Sequence, residues 1–160
     1  MNMFEYAMQM EKDGENLYRE LAQKSDGPGI KNIFDMLADD EIKHYKIFKN
    51  MKRKEKPQMA ETEVLSSARN IFAQLKEEKK IDYKLSQIEL YKKAQELEKK
   101  TEDFYWEKGE EVEDEYQKAM FLKIAEEEKK HYFLLDNIIE FVSRPQTWLE
   151  NAEFHHLEDY

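Results

Sequence analysis

The sequence predicts an all-α protein, an antiparallel four-helix bundle built from two repeated helical hairpins. The first observation is composition: of 160 residues, 39% are charged and 40% hydrophobic, with only four Gly and three Pro. Such a composition suits long helices better than a sheet with many turns. The second observation is an internal repeat, because Glu41 and His44 recur as Glu128 and His131 at one offset (128 − 41 and 131 − 44 are both 87).

The repeat extends along most of the chain, which settles the architecture before any single element is assigned. At the same offset Glu11 recurs as Glu98 and Tyr18 as Tyr105. Further identical pairs are Ala7 and Ala94, Lys12 and Lys99, Glu15 and Glu102, Phe34 and Phe121, Ala38 and Ala125, Lys43 and Lys130, Tyr45 and Tyr132, and Asn50 and Asn137. Two copies of one helical hairpin therefore form one bundle.

The first hairpin is predicted from residues 3–24 and 30–53, separated by a turn with Gly and Pro at 25–29. Each helix carries an inward stripe at steps of three and four residues. The first stripe contains Phe4, Ala7 or Met8, Glu11, Gly14, Tyr18 and Leu21, and the second contains Ile30, Phe34, Leu37, Glu41, His44, Phe48 and Met51. Carboxylates and an imidazole on a buried stripe are costly unless each is paired or bound to metal.

A crossover at 52–85 joins the hairpins, and within it residues 60–79 read as a shorter amphipathic helix. Ser86 and Glu89 have capping-box spacing and open the third bundle helix, which ends near Gly109. The fourth bundle helix closes before Pro145. The bundle thus occupies residues 1–143, and the tail at 144–160 is predicted to add a short C-terminal helix that packs Trp148, Leu149 and Phe154 on it.

Helix geometry brings the polar stripe residues to one level. Residues equidistant from an antiparallel turn face each other, and the midpoints of the pairs Glu11/Glu41 and Glu98/Glu128 are positions 26 and 113, both in predicted turns. His44 and His131 follow on the same faces about 4.5 Å further along. Four carboxylates in a dry core must bind protons or cations, and two divalent ions would balance their charge. Mixed nitrogen and oxygen ligands suit iron or manganese better than calcium or magnesium, whereas zinc would bind without redox chemistry.

Some assignments stay open at this point. Glu15 and Glu102 lie one turn beyond Glu11 and Glu98 and are rival ligands, although the stripe favours the earlier pair. Tyr18 and Tyr105 are either core aromatics with a buried acceptor or participants in redox chemistry. His155 and His156 stand side by side in the tail, where we assign them no role.

On these residues the chain resembles the ferritin-like di-iron carboxylate family, and within it the rubrerythrin branch, from about Phe4 to Asn137. A Glu from each of two helices and a Glu-x-x-His from each of the others is the family arrangement. The resemblance implies that Glu11 and Glu98 are terminal ligands and Glu41 and Glu128 bridge two irons. It also implies that His44 and His131 each bind one iron, with Tyr18 and Tyr105 behind the ligands.

The chain departs from rubrerythrins at two points. Rubrerythrins have a further carboxylate on the third bundle helix, but the residues three positions from Glu98 are Gln95 and Thr101. They also usually carry a rubredoxin-like domain with Cys-bound iron, and this chain has no cysteine. Electrons would therefore come from a separate donor protein.

The resemblance implies a di-iron redox protein that reduces hydrogen peroxide or oxygen with Fe(II). The alternatives are an iron-binding, ferroxidase or storage protein, and a non-catalytic interaction module stabilised by zinc or another metal. The net charge of −10 argues against nucleic acid and anionic membranes as partners. No signal peptide or long apolar run is seen, so we expect a cytoplasmic protein. Apolar surface on the crossover helix and tail suggests a homodimer, with exchange of hairpins as a further option.

Overall fold

The computed structural model describes residues 2–25, 27–78 and 87–143. Within these ranges the chain forms five α-helices and no strand, so the predicted all-α class is confirmed. The helices are α1 (Met3–Lys24), α2 (Pro28–Lys52), α3 (Val64–Glu78), α4 (Ile88–Glu111) and α5 (Glu115–Ser143). α1 packs along α2 and α4 along α5, while contacts of α1 with α4 and of α2 with α5 join the two hairpins into the predicted bundle.

The first hairpin follows its sequence signals closely. The Asn2 side chain caps α1 by accepting the Glu5 amide at 2.8 Å. The Ser25 hydroxyl ends α1 by donating to the Leu21 carbonyl at 2.7 Å. α2 begins at Pro28, two residues before the predicted start, because the fixed backbone of proline suits the first turn of a helix.

The crossover helix is shorter than the predicted 60–79, since α3 begins only at Val64. The residues before it are non-helical, and side chains of α2 and α5 donate hydrogen bonds to their carbonyl groups. Lys43 donates to the Ala60 carbonyl at 2.9 Å and Lys123 to the Met59 carbonyl at 2.6 Å. The Tyr116 hydroxyl donates to the Pro57 carbonyl. α3 then buries its apolar face against α2 and α5 through Val64, Ala68, Phe72 and Leu75.

The second hairpin departs from the prediction at one helix end. α4 continues through Gly109 to Glu111, because the missing side chain of Gly109 makes room for α5: a Cβ there would lie 2.7 Å from Leu122. Asp114 then caps α5 by accepting the Gln117 amide at 2.8 Å. The predicted capping residue Ser86 and the tail from 144 onwards lie outside the described residues.

A polar layer divides the core into two apolar clusters. One cluster contains Phe34, Leu37, Leu135 and Ile138 together with the apolar face of α3. The other contains Phe48, Met51, Tyr105, Phe121 and Ile124. On α2, for example, Glu41 and His44 separate Leu37 from Ile47. Among the described helices, none has the length and apolarity needed to cross a membrane.

Candidate metal centre

The polar layer consists of six predicted ligands, contributed by all four bundle helices. Glu11, Glu41, His44, Glu98, Glu128 and His131 are each at most 3% exposed. Their nitrogen and oxygen atoms form two groups, within each of which the chosen atoms lie within 4.8 Å of one another. The first group is Glu11, Glu41, His44 and Glu128, and the second is Glu41, Glu98, Glu128 and His131. Glu41 and Glu128 belong to both groups, so the arrangement has room for two neighbouring ions that share two carboxylates.

Several buried atoms of the layer lack a hydrogen bond within the protein. They are Glu11 Oε2, His44 Nδ1, Glu98 Oε2 and Glu128 Oε1. His44 Nδ1 lies 2.7 Å from Glu128 Oε1, yet the two atoms are not aligned as donor and acceptor. Leaving such atoms unpaired in a core is costly. The residues that carry these atoms belong to the two ligand groups, and unpaired nitrogen and oxygen atoms so close together fit a divalent cation.

Burial and neighbouring charges shift three of the four carboxyl groups toward their protonated forms. Burial and the neighbouring Glu128 raise the pKa of Glu11 to about 7. Burial and adjacent carboxylates likewise raise the pKa values of Glu41 and Glu128 well above their usual range. Glu98 differs: burial raises its pKa, but hydrogen bonding with Glu128 and the charge of His131 outweigh this and lower it to about 2. Without a cation, burial and mutual repulsion therefore favour protons on Glu11, Glu41 and Glu128.

The pKa values of the two histidines are raised, although burial alone would lower them. Burial alone lowers the pKa of an imidazole, but the carboxylates around His44 and His131 outweigh it and raise both pKa values well above the usual range. Glu11 has the largest such influence on His44, and Glu98 on His131. A metal ion would take over the role that the histidine protons play in balancing this charge.

Two functional residues that the sequence reasoning missed lie behind the histidines. His131 Nε2 is 2.8 Å from Asp40 Oδ2, and His44 Nε2 is 2.8 Å from Glu127 Oε1. When the ring is neutral, a carboxylate that accepts the Nε2 proton leaves the Nδ1 lone pair available to a metal ion. The repeat contained the signal, because Asp40 and Glu127 are both acidic, differ by the same offset of 87, and precede the glutamate of each Glu-x-x-His.

These contacts cross between the hairpins in pairs. Asp40 of α2 holds the histidine of α5, and Glu127 of α5 holds the histidine of α2. The tyrosines do the same: the Tyr105 hydroxyl of α4 donates to Glu11 Oε1 at 2.9 Å, and the Tyr18 hydroxyl of α1 donates to Glu98. Each hairpin thus orients side chains of the other.

The rival ligands occupy other environments. Glu15 is partly exposed and forms an ion pair with Lys12 at 3.0 Å. Glu102 is buried but accepts the Trp106 indole N–H at 2.8 Å, and neither glutamate belongs to the two ligand groups. His155 and His156 lie outside the described residues.

The two residues three positions from Glu98, where the resemblance implies a further carboxylate, form other interactions. The Gln95 amide donates to Asp136 at 2.9 Å on the surface. The Thr101 hydroxyl donates to the Leu97 carbonyl at 2.8 Å within α4. In the described chain, α4 therefore contributes Glu98 alone to the ligand groups.

A glycine of α1 makes room for one shared carboxylate. A Cβ built at Gly14 would lie 3.1 Å from Glu41 Oε2 and 3.2 Å from its carboxyl carbon. The equivalent position in the second repeat, 87 residues later, is Thr101. The space around the centre is therefore different on the two sides.

Comparison with known proteins agrees with this geometry. A family model described as Rubrerythrin matches residues 2–139, which include both hairpins and every residue of the polar layer. The resemblance predicted from the repeat is thereby confirmed. No curated protein and no solved structure matched the chain.

Proposed function

The chain belongs to the rubrerythrin family, and on that premise we propose that its bundle holds two iron ions and reduces hydrogen peroxide or oxygen with Fe(II). The observation that carries the proposal is the pair of ligand groups with Glu41 and Glu128 in common. A single-metal site would need only one such group. Two groups that share carboxylates suit two ions close enough to act on one small molecule.

In this proposal each ion has its own glutamate and histidine. Glu11 and His44 would hold one ion, Glu98 and His131 the other, and Glu41 and Glu128 both. Four carboxylates balance two divalent charges. Oxygen and imidazole ligands suit iron, with manganese or zinc as the ions that compete for the same donors.

When bound, two Fe(II) ions would supply the two electrons that, with two protons, convert hydrogen peroxide to two molecules of water. The protein's part is to fix the donors and exclude bulk water. Tyr18 and Tyr105 donate to Glu98 and Glu11 and so restrict the rotation of these carboxylates. Asp40 and Glu127 hold the histidine rings with Nδ1 toward the site. The apolar clusters on either side keep this layer dry.

The second candidate is a ferroxidase or storage protein, and one observation favours it. The resemblance implies a further carboxylate on the third bundle helix, whereas Gln95 and Thr101 occupy those positions here and form hydrogen bonds elsewhere. A centre without that carboxylate has fewer ways to rearrange its ligands between oxidation states. Iron oxidation by oxygen would then be the main reaction.

The test is an anaerobic Fe(II) titration of metal-free protein, followed by mixing with peroxide and, separately, with oxygen while the absorption of oxidised iron is recorded. We expect saturation at two irons per chain and faster oxidation by peroxide than by oxygen. Fast oxidation by oxygen with continued iron uptake would favour the second candidate.

One variant tests the proposed ligands in that experiment, and a second variant is its control. Glu128→Gln should abolish uptake at two irons per chain, because both ligand groups lose a charge. Glu110→Gln, an exposed position on α4, is the matched control and should behave as the wild type. Iron binding that is absent, or unchanged by Glu128→Gln, would refute the proposed centre.

The proposal includes a separate electron-donor protein, a cytoplasmic location and a homodimer. A donor is proposed because none of the 160 residues is a cysteine that could bind an electron-transferring iron. The apolar face of α3 is buried within the bundle, so dimer contacts would rely on the tail residues Trp148, Phe154 and Tyr160, outside the described residues. Light scattering on the full chain and on a chain ending at Ser143 would test the dimer: loss of the dimer on truncation is expected.

A further inference from the structure

The crossover segment reaches the metal centre through one residue. The Thr62 hydroxyl donates to Asp40 Oδ2, and the Thr62 backbone N–H donates to Glu127 Oε2 at 3.0 Å. These are the two carboxylates that hold His131 and His44. A single residue outside the repeat therefore touches the outer partner of both ligand histidines.

We propose that Thr62 is a positioning residue that fixes both outer carboxylates and, through them, the direction of the two histidine Nδ1 atoms. The inference rests on the proposed two-metal centre. It assigns to the crossover a role beyond joining the hairpins, namely to complete the support of the metal ligands.

The two links differ in how much each carboxylate depends on Thr62. Asp40 Oδ2 receives both the Thr62 hydroxyl and His131 Nε2, and the Asp40 side chain is 15% exposed. Without the hydroxyl, this carboxylate can rotate toward water. Glu127 is only 3% exposed, and Lys43 Nζ lies closer to Glu127 Oε1, at 3.2 Å, than to Asp40 Oδ1, at 3.7 Å. Because its link to Thr62 uses the backbone, a side-chain substitution leaves that link in place.

The segment that carries Thr62 is itself fastened to the bundle. Lys43 of α2 and Lys123 of α5 donate to the carbonyls of Ala60 and Met59. These contacts place Thr62 over the ends of both outer carboxylates. They also explain why α3 starts only at Val64: a helix from residue 60 would use these carbonyls internally.

The experiment compares Thr62→Val with Thr62→Ser in the full-length chain, using Zn(II) as the probe. Valine keeps the shape and the backbone N–H but removes the hydroxyl, whereas serine keeps the hydroxyl. Ser66→Ala is the matched control, because the Ser66 hydroxyl lies on the exposed face of α3 and donates to the Glu63 carbonyl. Zn(II) affinity is measured by competition with a chromophoric chelator.

A second measurement identifies which histidine is affected. In Zn(II)-loaded protein with ¹⁵N-labelled histidine, the Nε2–H resonances of His44 and His131 report the two outer hydrogen bonds separately. We expect Thr62→Val to weaken one of the two zinc sites by about tenfold. The His131 signal should move and exchange faster while that of His44 stays. Thr62→Ser should restore both values.

The possible results distinguish a positioning role of Thr62 from a general loosening of α3 and from failure of the proposed centre. The Thr62 hydroxyl also accepts the Val64 amide at 3.2 Å, so valine will loosen the start of α3, but that loss would not select one histidine. Two zinc sites in Thr62→Val as tight as in the wild type, or both sites weakened alike, would overturn the positioning role. A wild-type chain that binds fewer than two Zn(II) ions would instead refute the proposed centre itself.

Discussion

At the scale of single residues, the centre depends on hydrogen bonds that cross between the hairpins. Asp40 and Glu127 do not face the ligand groups directly, yet each decides where a histidine lone pair points. The burial of the six proposed ligands was predictable from their position on an inward stripe. The repeat pairs Asp40 with Glu127, but their contacts with the histidines were not predictable, because a residue beside the stripe acquires its partner only when the second hairpin is placed against the first.

Asp40→Ala should weaken the metal position that contains His131. Removing the acceptor frees the imidazole to rotate and to change tautomer, and losing such a partner typically lowers metal affinity about 10–100-fold. Asp39→Ala is the control, since the adjacent Asp39 is 68% exposed and pairs with Arg19. Zn(II) competition measures both variants. Equal affinities in the two would show that Asp40 does not orient its histidine.

Tyr105→Phe should destabilise the metal-free protein. The substitution removes the hydroxyl that donates to Glu11 and leaves a fully buried carboxyl oxygen without that donor. We expect the free energy of unfolding to fall by about 1–3 kcal/mol. Tyr18→Phe should lower the free energy of unfolding in the same way, because the Tyr18 hydroxyl donates to Glu98.

Urea unfolding measures these changes, and Tyr132→Phe, at an exposed tyrosine, is the control. If all three variants lose the same amount, the tyrosines serve only as core aromatics. That reading was left open by the sequence, which shows the spacing of a tyrosine but not its acceptor.

At the scale of helices, periodicity predicted the elements but not all of their ends. The predicted ends of α1, residues 3 and 24, agreed with the structure, and each has a local signal, the Asn2 cap and the hydrogen bond of Ser25. α2 starts two residues earlier than predicted, at Pro28. Two disagreed for tertiary reasons. α3 starts late because α2 and α5 take up the carbonyls before it, and α4 runs past Gly109 because that glycine serves close packing with Leu122.

Gly14→Ala tests whether close packing also shapes the centre. In an ordinary helix interior this change stabilises by about 0.5–1 kcal/mol. Here the new Cβ would lie 3.1 Å from Glu41 Oε2 and must displace a buried carboxylate that belongs to both ligand groups. We therefore expect the opposite sign, a loss of about 1–3 kcal/mol, together with weaker binding of both Zn(II) ions.

Asn16→Ala, on the exposed face of the same helix, is the control for α1. Urea unfolding and zinc competition are measured on both variants. A stabilised Gly14→Ala protein with unchanged zinc affinity would show that Glu41 moves aside at no cost and that the glycine is incidental.

At the scale of the whole molecule, the repeat is what made the architecture predictable. A constant offset of 87 residues implies two equivalent hairpins, and equal distances from each turn imply one common level for the ligands. What breaks the repeat could not be predicted in this way. Thr62 has no equivalent in the repeat and reaches both halves at once, so its role follows only from the path of the crossover.

The stability of the metal-free molecule should fall as pH rises from 5 to 8. Folding raises the pKa of Glu11 to about 7 and those of Glu41, Glu128, His44 and His131 well above their usual range. Groups with a raised pKa bind more protons in the folded state. Their contribution is therefore complete below the pKa of the unfolded chain and is lost as pH rises through the folded value. Asp40 and Glu98, with pKa values lowered to about 2, lose their contribution only in more acidic solution.

Zinc should reverse this dependence, because a bound ion requires the same groups without their protons. Thermal midpoints from circular dichroism, with and without Zn(II) at each pH, measure both curves. The metal-free midpoint should fall toward pH 8 while the increase caused by Zn(II) grows. Glu110→Gln should reproduce both trends, since the exposed Glu110 lies outside the polar layer. A metal-free midpoint that rises steadily over this range would mean that the buried carboxylates stay charged and are balanced in another way, which would remove the electrostatic case for two cations in the bundle.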